Sequence, residues 1–174
     1  MTIFDMANTR RHIDILEKLS AEFHDIKKRE KVQVYRESAA LVYRGHRIKD
    51  PSILSLIDIE GFDISLNFDD LNYVQPDFMI FSKNEFIWNK NETRLAGCPD
   101  LIIEIWSKSD YPEDRASKFQ IYSNSNNKTE HWYIDQRNNE IECYLGEQRL
   151  ENQMLYKILR TKNKLRLDLR DLAL

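Results

Sequence analysis

The stretch 99–107 reads Pro-Asp-Leu-Ile-Ile-Glu-Ile-Trp-Ser, and no other part of the chain restricts the fold so strongly. Its length and its β-branched content predict a strand rather than a helix. Successive strand side chains point to opposite faces. Leu101, Ile103 and Ile105 therefore share one face, and Asp100, Ile102, Glu104 and Trp106 share the other. The first face reads as core. The second sets a glutamate among apolar neighbours, where an unpaired carboxylate is costly. Glu104 thus requires a partner: an arginine or lysine, backbone donors, or a metal.

A second acid stands in a similar place. Val74–Phe81 reads as a strand, Pro76 suits its start or an edge, and Asp77 follows at once. Alone, Asp77 reads as either a turn or cap residue or a ligand. If the two strands are neighbours in one sheet they lie about 5 Å apart. Asp77 and Glu104 can then share a face and aim their oxygens at one cation. Hard oxygen ligands suit magnesium or manganese, which keep waters for substrate phosphates. Phosphodiester hydrolysis needs a polarised phosphoryl oxygen, an activated water and a stabilised leaving oxygen. Lys118 falls on the helix after the Glu104 strand, and its side chain reaches the acids if that helix packs back on the sheet. Asp100 shares the Glu104 face, but four strand residues separate them by about 13 Å. It is therefore an outer-shell or second-site candidate, not a ligand to the same ion.

The rest of the chain supplies the frame. Asp5–Arg29 predicts an amphipathic helix with Leu16, Leu19, Phe23 and Ile26 on its apolar face. Lys27, Lys28, Arg29 and Lys31 form a basic end, read as a solvated helix terminus or a phosphate-contacting patch. Val32–Tyr35 and Ala40–Tyr43 read as strands, and Pro51–Ile57 as a short helix. Phe62–Phe68 is expected to form a hairpin with Val74–Phe81, and Ser82–Gly97 reads as a loop with a short strand at Phe86–Trp88. Pro112 fits the first position of a helix running to Asn124, with Asp114, Lys118 and Tyr122 on one face. Glu130–Asp135 and Glu140–Leu145 predict a hairpin. Leu155–Arg160 and Leu165–Leu169 add strands, and Leu169–Leu174 closes as a short helix. The pattern is α+β (mixed α/β), one sheet with helices on its faces, in a single domain over 1–174 with a helical extension at about 1–30.

Composition narrows the function classes. Hydrophobic residues make up 41% and charged residues 32%, which excludes a disordered chain. A net charge of −3 makes no global case for nucleic-acid binding and leaves room only for local basic patches. No apolar run is long enough to cross a membrane. Cys98 and Cys143 lack metal-ligand spacing, which fits a reduced, cytoplasmic setting.

The ordered set Pro76-Asp77, Pro99-Asp100-Leu101-Ile102-Ile103-Glu104, Ser107, Asp114, Lys118, Tyr122, Glu130–Asp135 and Leu167–Leu172 resembles the Uma-two family. That family is a branch of the PD-(D/E)XK restriction-endonuclease-like superfamily. The resemblance covers roughly residues 62–174. It implies a restriction-endonuclease-like fold, a central mixed sheet flanked by helices, and a magnesium- or manganese-dependent site acting on DNA. It also implies that Asp77 and Glu104 are metal ligands and Lys118 the catalytic lysine, displaced from strand to helix. Trp106 stands where the superfamily's strand lysine would fall. Lys108, where the family usually has proline, shares strand parity with Glu104 and is an alternative lysine. By analogy with nucleases that pair to cut two strands, a homodimer is expected, with the N-terminal helix as the candidate surface.

Three readings remain open at this level: a magnesium-dependent endonuclease, a catalytically silent module of the same fold binding DNA or protein, and a scaffold in which Asp77 and Glu104 simply pair with Lys118.

Overall fold

The computed structural model describes residues 3–36, 40–43, 71–82, 86–88, 95–97, 99–107, 111–125 and 129–174. The expected helix at 51–57, the strand at 62–68 with its hairpin, and Lys108 lie outside the described residues.

The chain opens with α1 (Ile3–Glu30), whose last turn carries Lys27, Lys28 and Arg29 against the negative end of the helix dipole. Lys31, at φ 55°, turns the chain out of the helix. Short strands follow: β1 (Gln33–Arg36), β2 (Ala40–Tyr43), β3 (Leu71–Val74), β4 (Phe78–Phe81), β5 (Phe86–Trp88) and β6 (Leu95–Gly97). Then come β7 (Leu101–Trp106), α2 (Pro112–Ser125), β8 (Glu130–Asp135) and β9 (Glu140–Leu145). The chain finishes with β10 (Gln148–Arg149), β11 (Gln153–Met154), β12 (Leu159–Arg160), β13 (Arg166–Leu167) and a 3-10 turn at Arg170–Leu172.

Among the described residues the main sheet has the order β1-β4-β7-β8-β9-β10, with β11 also on β9. Its centre is β7, antiparallel to β4 and parallel to β8. Parallel neighbours need a crossover, and α2 supplies it. A second sheet has the order β3-β2-β6-β5, and β12 pairs with β13.

The alternation in β7 divides the core as its sequence requires. Leu101, Ile103 and Ile105 pack with Phe78, Ile80, Trp132 and Ile134 against Ile15, Leu16, Leu19, Phe23 and Ile26 of α1. Ile102 packs on the other face with Met79, Phe81, Tyr122 and Tyr133, joined by Trp106 and Phe119. Phe86 and Leu95 bring the second sheet to this same side. The apolar stripe of α1, the helix that the sequence offered as a candidate dimer surface, therefore faces the chain's own sheet. Glu130, buried on the α1 side, accepts hydrogen bonds from Trp132 Nε1 at 2.8 Å and the Lys162 backbone at 2.7 Å.

Three expectations are corrected. The described strands do not form one sheet, since a four-stranded sheet and a two-stranded pair stand beside the main one. Val74–Phe81 is not one strand: it breaks at Gln75-Pro76-Asp77, so that Val74 ends β3 in the second sheet while Phe78 begins β4 in the main sheet. Pro76 has no N–H to give a ladder, and the chain changes sheets there. Ser82–Gly97 is likewise not a loop with one short strand, since β5 and β6 pair within it. Cys143 is a free, buried thiol.

The Phe23 ring lies 5.1 Å from that of Phe78 and ties α1 to the sheet. Phe23→Ala is expected to lower unfolding stability by about 3–5 kcal/mol, read from the shift in urea midpoint at unchanged slope. A loss below about 1 kcal/mol would mean that α1 is not an integral layer of the core.

Candidate active site

The pairing of β4 with β7 positions the two acids. Phe78 faces Ile103 across an antiparallel ladder. Continuing that register by one residue sets Asp77 opposite Glu104, on the face covered by α2. At this point β4 has ended, and the Asp77 side chain takes over its ladder role. Its Oδ2 accepts the Ile105 backbone N–H at 2.7 Å. The half-buried Asp77 is thus held by the strand that carries Glu104.

Glu104 is 2% exposed. Lys118 Nζ lies 3.0 Å from each of its oxygens, and the Tyr122 hydroxyl donates to Oε1. The helix period explains both contacts: Lys118 and Tyr122 are four apart on α2 and descend on the same strand residue. Burial pushes the Glu104 carboxyl up to about 7, against the pull of the Lys118 ammonium, and the nearby Asp77 charge pushes the same way. Desolvation outweighs the ion pair because the acid is far more deeply buried than Lys118, whose side chain is 34% exposed. Burial beside Glu104 also raises the Tyr122 phenol well above its ordinary value, so the hydroxyl keeps its proton and remains a donor.

The floor beside Glu104 is aromatic. Tyr133 pairs with Glu104 in the parallel register of β7 and β8, and His131 lies two residues before it. Burial lowers His131 to about 4, which holds it neutral. Its Nε2 is 2.8 Å from the Gly146 carbonyl and therefore carries the proton; Nδ1, 2.6 Å from the Tyr133 oxygen, accepts that hydroxyl. The Tyr133 proton is thus committed to His131, and Lys118 and Tyr122 hold Glu104.

Toward the end of β7 burial decreases. Trp106, half-buried, lies against Tyr133 at a centroid distance of 4.3 Å. The Arg115 guanidinium sits 4.8 Å from the Trp106 ring centroid, and its Nη2 donates to the Ser107 carbonyl. Tyr111, whose carbonyl accepts the Asp114 and Arg115 N–H groups, marks the start of α2 and is 71% exposed. Positions 111, 115, 118 and 122 follow one helical stripe. That stripe descends from exposed Tyr111, through Arg115 and Lys118, to fully buried Tyr122. The sequence reading passed over Arg115, although its place in this i, i+4 series was available as a signal.

The remaining sequence candidates are dispersed. Asp100 stands at the opposite end of β7, where Oδ2 accepts from the Ser82 backbone at 2.6 Å and hydroxyl at 2.7 Å, and Oδ1 from Asn163 at 2.9 Å. Asp114 is exposed in the first turn of α2. Asp77, Glu104, Lys118 and Tyr122 are therefore brought together, and Asp100 is not. Among the described residues no group of three or more His, Cys, Asp or Glu is placed to hold a metal. A magnesium site drawing on Asp77 and Glu104 would have two protein carboxylates, consistent with an ion that keeps most of its shell for water and phosphate. Burial is the main cause that raises Glu104, and the Asp77 charge adds to it, so the two carboxylates are close enough to feel each other and are oxygen donors of the kind such an ion takes.

A model of the Uma2 family, described as putative restriction endonuclease, matches residues 3–170. The match begins at α1, so the resemblance read from residue 62 onward was too short. Comparison with curated proteins gives no match. Among solved structures, a putative nuclease of family DUF820 from Anabaena variabilis aligns with a TM-score of 0.53 and 13% identity, over 96% of this chain and 82% of that one. The likeness is one of fold, and the fold is restriction-endonuclease-like, as the mixed sheet between α1 and α2 indicates. Among the described residues no helix is long and apolar enough to cross a membrane.

The raised Glu104 carboxyl has a sign that can be checked. Between its ordinary value of 4.5 and about 7, the folded chain holds a proton that the unfolded chain has released. The stability this group contributes is therefore fully present below that window and is lost as pH rises through it. Glu104→Gln removes the titration. Urea midpoints at intervals from about pH 5 to 8 should move in favour of the variant as pH rises, by on the order of 2 kcal/mol in total. A pH-independent gap would show that Glu104 titrates at its ordinary value.

Proposed function

The chain belongs to the Uma2 family, and we propose that it is a metal-dependent endonuclease hydrolysing phosphodiester bonds in DNA. Asp77 and Glu104 would hold magnesium, or manganese in its place, and Lys118 would be the catalytic lysine. The observation that carries this reading is the meeting of two acids distant in sequence. Asp77 lies just before β4, bonded to the Ile105 N–H next to Glu104, with an ammonium group 3.0 Å from the deeper acid. When bound, the ion would supply a polarised phosphoryl oxygen and a water of lowered pKa.

The chain's own residues divide the remaining work. Tyr122 fixes the rotamer of Glu104 by donating to Oε1. Asp77 is held in place by the Ile105 N–H. Lys118 is more exposed than the carboxylate it contacts, so its ammonium can turn to a phosphate oxygen and offset the charge that develops there. Tyr133 and His131 close the floor with committed hydrogen bonds and keep bulk water from the buried side.

A second reading has its own support. Glu104 already accepts from Lys118 and Tyr122, and Asp77 from a backbone N–H. A satisfied set of this kind is also what a catalytically silent module of this fold, binding DNA or protein, would retain.

Incubation of supercoiled plasmid and single-stranded DNA with magnesium or manganese separates the two. Wild type is expected to cut, and Asp77→Asn and Glu104→Gln each to reduce the rate by at least about 100-fold. Lys118→Met should cost roughly 100- to 1,000-fold, as for loss of a group facing developing charge. Cleavage that survives Glu104→Gln would reject this site, and absence of cleavage on every substrate would favour the silent module.

A further inference from the structure

We propose, resting on the nuclease reading above, that Tyr111, Arg115 and Trp106 form a nucleotide subsite that stacks an unpaired base of single-stranded DNA beside the acids. The stripe on α2 runs from exposed Tyr111, through half-buried Arg115 and Lys118, to buried Tyr122, so exposure beside Glu104 rises toward the start of that helix. Trp106 shares the Glu104 face two residues further along β7, about 7 Å away, which is the reach of one nucleotide. Trp106 lies tilted against buried Tyr133, and the half-buried Arg115 guanidinium sits over the Trp106 ring. The bond from Arg115 to the Ser107 carbonyl sets its guanidinium in that position. Arginine planes and aromatic rings are the surfaces on which unpaired bases stack. Tyr111 is the most exposed of the large hydrophobic side chains described, and it stands one helical turn before Arg115.

The charges at this entrance favour a stacked strand over a tracked duplex. Arg115 and Lys118 are accompanied by exposed Glu113 and Asp114 in the first turn of α2. Duplex binding draws on many cations neutralising many phosphates, and this entrance is mixed in sign. A base inside a duplex also offers no free face to the Arg115 layer.

Fluorescence anisotropy in EDTA, with a labelled oligo-dT and a labelled hairpin duplex of equal charge, tests this without cleavage. Wild type should bind the single strand more tightly. Tyr111→Ala and Arg115→Ala should each weaken that binding by between about 5- and 150-fold. Tyr156→Ala, at an exposed tyrosine next to Leu155 in the α1-side core, should leave it unchanged. Tyr111 is exposed, so its variant carries the test even if Arg115→Ala fails to fold. Equal affinity for the two DNAs, no effect of Tyr111→Ala, or tighter binding of oligo-U than of oligo-dT would overturn the proposal. Single-strand binding that depends on Tyr111 without any cleavage in magnesium would sink the nuclease reading and keep the subsite. Cleavage that requires Glu104 with binding indifferent to Tyr111 would do the reverse.

Discussion

A carboxylate at the centre of a sheet is tolerable only if something answers its charge, and in this protein the answer comes from α2. Lys118 and Tyr122 both reach Glu104, which ties the helix to the middle strand at one defined height and rotation. Removing one partner of such a pair leaves an uncompensated charge in a low-dielectric interior, where it is expensive. The crossover helix is thus positioned by a polar contact in addition to the packing of Phe119 and Tyr122.

Asp77 shows how a structural duty and a chemical one can coincide. β4 ends early because Pro76 cannot extend the ladder, and the Asp77 carboxylate accepts the N–H that β4 no longer covers. That same bond fixes an acid opposite Glu104. Burial brings Glu104 to about 7 against the pull of Lys118, and the closeness of the second like charge adds to it. Perturbed carboxyls of this kind gather at functional sites, though structural ion-pair networks produce them too. The sheet therefore divides labour by face. The α1 side is apolar packing around Phe23, Phe78 and Trp132, while the α2 side carries Glu104, Tyr133, His131 and the half-buried Trp106.

Much of this was legible in the residues. Period-two alternation in 101–106 assigned Glu104 and Trp106 to one face and Leu101, Ile103 and Ile105 to the other, and the two halves of the core follow it, with Leu101, Ile103 and Ile105 in the α1-side cluster and Trp106 packed against the α2-side one. Three- and four-residue spacing placed Leu16, Leu19, Phe23 and Ile26 on the buried stripe of α1. The reach of a regular strand separated Asp100 from Glu104, and Ser82 and Asn163 hold Asp100 at the far end. What failed was continuity. Val74–Phe81 alternates well enough to read as one strand, yet its two halves pair in different sheets. Residues 82–97 are polar enough to read as loop, yet β5 and β6 form there because they find partners.

The chain by itself determined which side chains share a face, since that follows from the local periods of strand and helix. It also determined that Glu104 would need a partner, since the cost of burying a charge depends only on its apolar surroundings. Which group would be the partner, which strands would lie side by side, and that Arg115 would cover Trp106 were decided only in three dimensions. Pairing of β4 with β7 brings residues 77 and 104 near each other through backbone hydrogen bonds of the residues beside them, which carry no trace of side-chain identity. Register is therefore chosen by the whole core at once, with α1 on one face and α2 on the other.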